Sequence, residues 1–359
     1  MLPHMVRPLR LTPIVVLTLA LGACGGTTPP RQTLPGSTAI VPTLHTLTTI
    51  GSTVDPGPGV GAGDQNPYGL AIAPVTAGKL SAGDLVVCNF NDVANVQGNG
   101  TTIVALHPVA GATPTHLIAD ASLKGCDALT LDGSDDIAAV ALVSGDAPLV
   151  SPAGALVNAG ANPLWSWPWG AILGSGGQIF EAEALSGAIV RFTPSGGNFT
   201  NLVSIIGGIT TNAGVPGTVL GASGLTYDAA HDTLYVVDGN TNRLLAFSGA
   251  STLAANAITV TGTGFSGPSA ANARVVFSGA PLNAPISSAL LANGDIVVGN
   301  TGDNNLLEIT PAGAIAGEKL ADTGPPGALF GIATSGTSAA TQKIYFNDDN
   351  TNTVVLLSR

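Results

Sequence analysis

The segment GLTYDAAHDTLYVVDGNTNRLLAF, residues 224–247, decides the fold of this 359-residue chain. It holds three short apolar runs, separated by a turn around His231 and by a polar turn after Asp238. Short apolar runs bounded by turn residues are typical of β-strands, and consecutive strands joined by tight turns usually pair. The segment therefore predicts a small antiparallel sheet.

Variants of this segment recur along the chain. In each copy we take one residue at the start of the first strand as a marker. Consecutive markers are 42 to 63 residues apart. Units of about four short strands, repeated at this interval, are typical of the blades of a β-propeller. The six marker residues are Tyr68, Asp127, Trp169, Ser223, Ile286 and Phe330.

The two ends of the chain support a closed ring. The sixth copy reaches Arg359 after only three strands, while a spare strand, Leu44 to Ile50, precedes the first copy. A propeller commonly avoids an open edge by completing its last blade with a strand from the other terminus. We therefore predict an all-β, six-bladed β-propeller whose last blade is closed by an N-terminal strand, with five or seven blades as alternatives.

The composition limits the classes of protein to which the chain could belong. Hydrophobic residues make up 45% of it and charged residues only 9%, with 48 Gly and 25 Pro, so it resembles a turn-rich globular protein and not a disordered one. The formal charge is −11, which disfavours nucleic acid as a partner. We expect a monomer that has no cofactor.

The first residues predict export. Arg7 and Arg10 precede an apolar stretch, and the sequence Leu21-Gly22-Ala23-Cys24 follows it. This arrangement resembles a bacterial lipoprotein signal, which is cleaved before the lipid-bearing Cys; an ordinary secretory signal is the alternative. The predicted organisation is a signal peptide over 1–23, lipidated Cys24 with a flexible tether over 24–43, and the propeller over 44–359.

That organisation predicts an address in the bacterial cell envelope, with the membrane reached through the lipid anchor. Gly25 follows Cys24, where lipoproteins retained in the inner membrane carry Asp, so the resemblance implies the outer membrane or the periplasmic face. After cleavage, nine Lys and Arg stand against 22 Asp and Glu, a formal charge of −13.

The most regular copy also resembles a named repeat. VVDGNTNRLLAF is similar to the NHL repeat, through Asp238, Asn242, Arg243 and Phe247. Segments 296–309 and 344–357 match more loosely and lack the Arg. The resemblance implies a propeller fold and no activity. For the whole chain we predict an exported, lipid-anchored binding or scaffold protein.

The starts of the first strands and the ends of the second strands should meet at one face of the channel, which is the natural place for a pocket. We predict a ligand site there for an unknown protein, a sugar or a lipid-like molecule. Packing of the aromatic rings against one another and turn capping by the acids are the alternative interpretations. The candidate residues are Tyr68, Asp127, Trp169, Glu183, Asp238 and Phe330.

A second hypothesis comes from a more distant resemblance to the gluconolactonase and senescence-marker-protein propellers. Members of that family hold a divalent cation such as calcium with carboxylate and amide oxygens and open lactones. Here most positions that would correspond to the ligands carry aromatic or aliphatic residues, which leaves Asp127, Glu183, Asp238 and Asp348. A metal-dependent hydrolase of this kind, or a propeller lyase, is therefore the alternative function, and no catalytic residue is assigned.

Two cysteines remain beside Cys24. Cys88 ends a second strand in the first copy, and Cys126 opens the next copy. Both should lie near the same face, and an exported protein occupies an oxidising compartment. A disulfide between Cys88 and Cys126 that joins the first two blades is the resulting hypothesis.

Overall fold

The computed structural model describes residues 38–212 and 214–359, and the predicted signal peptide, Cys24 and most of the tether lie outside these ranges. The described residues form six sheets, and the innermost strand of each sheet contacts those of its two neighbours. The circuit closes between the last sheet and the first. The protein is a six-bladed β-propeller, as its repeats predict.

The first three blades run outward from the channel in the order of their strands. Blade 1 consists of β2 (Gln65–Ile72), β3 (Leu85–Asn91), β4 (Thr102–Leu106) and β5 (Thr115–Ala119). Blade 2 consists of β6 (Cys126–Leu131), β7 (Ile137–Ala141) and the short strands β8 (Leu149–Val150) and β9 (Leu156–Asn158). Blade 3 begins with β10 (Pro168–Leu173), β11 (Ile179–Glu183), β12 (Ala188–Ser195) and β13 (Asn198–Gly207).

The remaining blades follow the same plan. Blade 4 consists of β14 (Ala222–Asp228), β15 (Thr233–Asp238), β16 (Arg243–Ser248) and β19 (Ala273–Ser278). Blade 5 consists of β20 (Pro285–Leu290), β21 (Ile296–Asn300), β22 (Asn305–Ile309) and β23 (Ile315–Leu320). Blade 6 consists of β24 (Leu329–Ser335), β25 (Lys343–Asp348), β26 (Thr353–Ser358) and, as its outer strand, β1 (Thr46–Ser52).

The helical content of the described residues is limited to short 3₁₀ turns, and none of these residues forms a helix long and apolar enough to cross a membrane. The 3₁₀ turns are η1 (Val41–Thr43), η2 (Ala121–Leu123), η3 (Ser175–Gly177), η4 (Ala250–Thr252) and η5 (Ala270–Asn272).

The ring closes through the N-terminal strand, as predicted. β1 pairs antiparallel with β26, from Thr46 opposite Ser358 to Ser52 opposite Thr353. The strand lies two residues later than the predicted Leu44–Ile50. Residues 40–43, which the sequence assigns to the tether, pack against the propeller, with Ile40 and Val41 fully buried between blades 5 and 6.

A hairpin inserted in blade 4 extends blade 3. β17 (Ile258–Thr261) and β18 (Gly264–Ser266) lie in sequence between β16 and β19, yet β17 pairs in parallel with β13 at the outer edge of blade 3. Blade 3 therefore has six strands. Without β17, the backbone N–H and C=O groups on the outer edge of β13 would be unpaired. The hairpin provides their partners and links two neighbouring blades.

Apolar clusters fill the spaces between adjacent blades. Phe180 and Phe247, for example, lie in one cluster between blades 3 and 4, and Phe346 lies in another between blades 5 and 6. Each of the six interfaces between neighbouring blades has such a cluster. Alternate residues of each strand point to the two blades on either side, so both faces of a blade are buried. This burial explains why the strands are apolar at consecutive positions in the sequence.

Asparagines in the left-handed conformation link successive blades. Each lies in the turn between the second and third strands, where a positive φ favours Asn over most side chains. Its side-chain oxygen accepts a hydrogen bond from the backbone at the start of the next blade, which gives the Asn of the NHL-like segment a structural role. The pairs are Asn242 with the Ala284 N–H (2.9 Å), Asn304 with the Ala328 N–H (3.0 Å) and Asn352 with the Asn66 N–H (2.7 Å).

Candidate functional site

A β-bulge marks the same place in every blade. The pairing between the first and second strands shifts at each of the six marker residues. A bulge inserts an extra residue and redirects its side chain. We call these residues the bulge ring: Tyr68, Asp127, Trp169, Ser223, Ile286 and Phe330.

The residue after each bulge residue is small because neighbouring first strands approach closely there. A Cβ added to Gly170 would lie 2.1 Å from the carbonyl oxygen of Ser223, and one added to Gly224 would lie 2.6 Å from the Cα of Ser287. The Gly that follows the marker in four copies therefore has a packing role. Its conserved spacing in the repeats is the signal that located the ring from sequence.

Four aromatic residues close one end of the channel, and we call them the aromatic plug: Tyr68, Phe90, Trp169 and Phe330. Tyr68 lies between two parallel rings, with centroid distances of 4.1 Å to Phe90 and 3.7 Å to Phe330. Trp169 meets Tyr68 edge-on at 6.0 Å. The structure thus brings together the three predicted aromatic residues and adds Phe90, which the sequence analysis missed although it lies two residues after Cys88.

A segment between blades 3 and 4 covers the plug. Val219 and Leu220 pack in the same apolar cluster as the plug residues. Two residues before Val219, a Cβ added to Gly217 would lie 2.6 Å from the side-chain oxygen of Gln97 in blade 1, on the opposite side of the ring. Residues 217–220 therefore span the channel mouth at this end.

Below the plug the channel is a cavity of about 340 Å³ lined by the innermost strands of all six blades. Its wall is mixed, with apolar residues such as Ile72, Leu131 and Leu290 near the far ends of their strands. Hydroxyl groups lie among them: Thr226 and Ser288 are on neighbouring blades with their side-chain oxygens 2.8 Å apart. A concave cavity that combines apolar side chains with polar groups is typical of a small-molecule site.

Asp127 is the acidic member of the bulge ring and also lines the cavity. It is only 6% exposed, and neither carboxyl oxygen has a hydrogen-bond partner of ordinary geometry among the described residues. Burial raises the pKa of Asp127 well above its usual value; the backbone N–H groups of Asp127 and Ala128 offset part of this rise, and the nearby charges of Glu183 and Glu181 add to it. Asp127 therefore favours its protonated form when it has no cationic partner.

Two glutamates of β11 lie behind Asp127, at the interface of blades 2 and 3. Glu183 accepts a hydrogen bond from the Ser166 N–H (2.6 Å), and burial raises its pKa to about 8. Burial also raises the pKa of Glu181 well above its usual value, with the charge of Glu183 as a second cause. Glu181 was missed by the sequence analysis, although its i, i+2 spacing from Glu183 on a strand places both side chains on one face.

The other predicted acids lie outside this group. Asp238 is fully buried and accepts hydrogen bonds from Arg243 (2.7 Å), Thr241 (2.6 Å) and Thr210, so it stabilises the turn of its own blade and a neighbouring loop. Asp348 ends β25, and neither Asp238 nor Asp348 lines the channel cavity. The proposed ligand site therefore does not use them.

Cys88 and Cys126 form a disulfide in the structure. It joins β3 of blade 1 to β6 of blade 2, at the residue immediately before Asp127. The bond therefore fixes the position of β6 next to the bulge ring.

The acids do not fit a metal ion. Among residues 38–212 and 214–359, no three His, Cys, Asp or Glu side chains are grouped closely enough to hold one. These four residue types therefore do not assemble the cation site that the gluconolactonase resemblance implies.

Comparison with known proteins identifies the fold of the chain and does not identify its family. No protein-family model matches the chain, and no curated protein sequence matches it. Solved structures do match. A gluconolactonase from Xanthomonas campestris has 11% identity and a TM-score of 0.57, over 82% of this chain and 87% of its own.

Two further structures have the same architecture. A luciferin-regenerating enzyme has 12% identity and a TM-score of 0.56, over 88% of this chain and 95% of its own. A virginiamycin B lyase from Staphylococcus aureus has 15% identity and a TM-score of 0.54, over 88% of this chain and 99% of its own. At these identities the similarity defines the class of the protein, a six-bladed β-propeller like those lactonases and lyases, and leaves its activity open.

Proposed function

We propose that this protein is an exported, lipid-anchored propeller that binds a small ligand in its central channel. The observation that carries the proposal is the cavity of about 340 Å³ below the aromatic plug, lined by all six blades. Its volume lies within the range of small-molecule sites, and its wall combines apolar side chains with a few hydroxyl groups and one carboxyl group. The aromatic plug closes one end, so the ligand enters from the opposite end.

The export part of the proposal rests on the sequence. The stretch from Arg7 to Cys24 has the layout of a lipoprotein signal. The disulfide between Cys88 and Cys126 supports an oxidising compartment.

Filling the channel tests the proposal. Ala289 lines the cavity and is partly exposed, so Ala289→Phe adds a ring at the channel wall. Ala289 also packs against the apolar cluster between blades 5 and 6, so the thermal midpoint of the variant is measured first to show that it folds. A panel of fragment-sized alcohols, amines and sugars is screened for binding by ligand-observed NMR. We expect compounds that bind the wild-type protein to lose at least about tenfold in affinity with Ala289→Phe, because the ring occupies their volume.

Val275→Phe is the matched control, because it adds the same ring at an exposed position of the outer strand β19. It should leave binding unchanged. If no compound binds the wild-type protein, or if bound compounds tolerate Ala289→Phe, binding in the channel is wrong.

A hydrolase or lyase is the second candidate. The similarity to lactonase and lyase structures favours it at the level of the fold. Asp127 and Glu183 also have raised pKa values, which is a property of acid–base groups in active sites. Because the acids do not fit a metal ion, this candidate requires chemistry by the carboxyl groups alone, and we rank it second.

A further inference from the structure

The cavity has an acid without a counter-ion. Asp127 is buried and lines the channel, and its carboxyl group has no side-chain partner among the described residues; the backbone N–H groups of Asp127 and Ala128 are the polar groups beside it. None of the residues that line the cavity is Lys, Arg or His. A buried carboxyl group without a partner is costly to the folded protein, and such groups are usually retained where they have a function.

The surroundings of Asp127 suit a positive charge. In the bulge ring it lies between Tyr68 of blade 1 and Trp169 of blade 3, and all three residues line the same cavity. Aromatic rings attract cations, and organic ammonium groups are the usual ligands of sites that combine aromatic rings with an acid. Phe90 and Phe330 cover both faces of Tyr68, so Trp169, which lines the cavity and is not stacked, is the ring beside Asp127 that can meet the charge. Glu181 and Glu183 lie behind Asp127 and add negative potential when they are ionised.

Neutral and anionic ligands suit this end of the channel less well. An anion would find no Lys, Arg or His among the residues that line the cavity to offset its charge. A neutral apolar ligand would leave the Asp127 carboxyl group unpaired. The formal charge of the whole chain, −11, also favours the approach of cations.

We infer that the channel ligand is a small organic cation, a primary amine or a quaternary ammonium compound, whose charged group lies against Asp127 and the aromatic plug. This inference rests on the proposed channel binding and specifies the ligand class. The cation enters from the open end, and its charged group stops at the bulge ring.

Binding is coupled to a proton. In the free protein, burial and the charges of Glu183 and Glu181 on β11 raise the pKa of the Asp127 carboxyl group, which favours its protonated form. When the cation arrives, this proton passes to solvent, the carboxylate pairs with the ammonium group, and the total charge of the site is unchanged. Affinity should therefore rise with pH over the range in which free Asp127 still holds its proton.

A pair of isosteric probes tests the inference. Choline carries a trimethylammonium group, and 3,3-dimethylbutan-1-ol replaces its nitrogen with carbon and is neutral. Titration calorimetry of the wild-type protein over a series of pH values should show choline binding more tightly than the neutral probe, with an affinity that rises with pH. Measurements in two buffers of different ionisation enthalpy should show net release of protons when choline binds.

Asp127→Asn removes the charge with little change in volume, and the loss of a buried unpaired acid leaves the fold at least as stable. It should weaken choline binding about tenfold or more, abolish proton release and leave the neutral probe unaffected. Asp136→Asn is the matched control, with the same change on an exposed residue of blade 2. It should bind choline as the wild-type protein does.

The two proposals fail in different ways. If the neutral probe binds as tightly as choline, or if Asp127→Asn leaves choline binding unchanged, the cation inference is wrong while channel binding stands. The cation inference is also wrong, and channel binding stands, if choline does not bind but other compounds of the fragment panel bind the wild-type protein and fail to bind Ala289→Phe. If nothing binds in the channel, both proposals are wrong.

Discussion

Glu183, Glu181 and Asp127 are buried acids whose ionisation should make the stability of the protein depend on pH. Three acids share the region where blades 2 and 3 meet the channel, and burial raises the pKa of each. The sequence placed Asp127 and Glu183 among the candidates because each ends or begins a strand at the channel face. It did not show that they would be close, since they lie on different blades and 56 positions apart in the chain.

The first prediction concerns Glu183→Gln. The pKa of Glu183 is about 8 in the folded protein and near the ordinary 4.5 in the unfolded chain, so the folded state holds more protons between these values. The free energy of unfolding of the wild-type protein should therefore fall as pH rises through this window, by about 1.4 kcal/mol per pH unit for each proton retained. Glu183→Gln should remove part of this slope and be more stable than the wild-type protein at pH 8.

Urea unfolding at pH 5, 6.5 and 8 measures this effect. Glu318→Gln, the same change on an exposed residue of β23, should keep the wild-type slope. An identical slope for Glu183→Gln and the wild-type protein would contradict the assignment of a raised pKa to Glu183.

The N-terminal strand β1 shows how a single element joins the ring. β1 could be predicted because the sixth copy lacks a fourth strand and the chain has one spare before the first copy. The contacts that hold the entry to β1 could not be predicted. Glu308 of β22 accepts hydrogen bonds from the N–H groups of Ile40 (2.7 Å) and Val41 (2.7 Å) and from the side chain of Asn293 (2.9 Å).

The second prediction concerns this contact. Glu308→Gln replaces a fully buried carboxylate by an amide with one acceptor, so at least one of these charge-assisted hydrogen bonds is lost. We expect a loss of about 2 kcal/mol in the free energy of unfolding, measured by urea unfolding at pH 7. Glu318→Gln on the neighbouring strand should change it by less than about 0.5 kcal/mol. Equal stability of the two variants would show that Glu308 does not fix the N-terminal segment.

The inserted hairpin is a second element that the repeat pattern did not predict. β17 and β18 lie in blade 4 by sequence and in blade 3 by pairing. The pairing depends on two residue pairs, Ile206 with Ile258 and Gly207 with Thr259, which join distant parts of the chain. Local patterns predict strands, whereas the partner of an extra strand depends on which edge is free.

The molecule as a whole is a ring whose stability comes from contacts between blades. Six apolar clusters alternate with six blades, and the seventh cluster contains the aromatic plug. The same ring is found in the lactonase and lyase structures at 15% identity or less. Such a ring supports several activities, because the residues at the channel differ while the packing between blades is retained.

The third prediction separates the two candidate functions for the whole protein. Because the described acids do not fit a metal ion, treatment with EDTA should leave the thermal midpoint unchanged to within about 1 °C. Metal analysis of the purified protein by mass spectrometry should find less than stoichiometric calcium or zinc. One tightly held ion per chain, lost in Asp127→Ala or Glu183→Ala, would instead support the metal-dependent hydrolase.

The sequence by itself determined the all-β class, the six copies, the N-terminal closing strand and the places of the bulge residues. These features follow from local patterns: strand periodicity, Gly and Asn at turns, and the repetition of both. Only the tertiary structure decided which residues act together. The stacking of Tyr68 between Phe90 and Phe330, the burial of Asp127 beside Glu181 and Glu183, and the use of Asp238 within its own blade depend on distances between blades, which closure of the ring fixes.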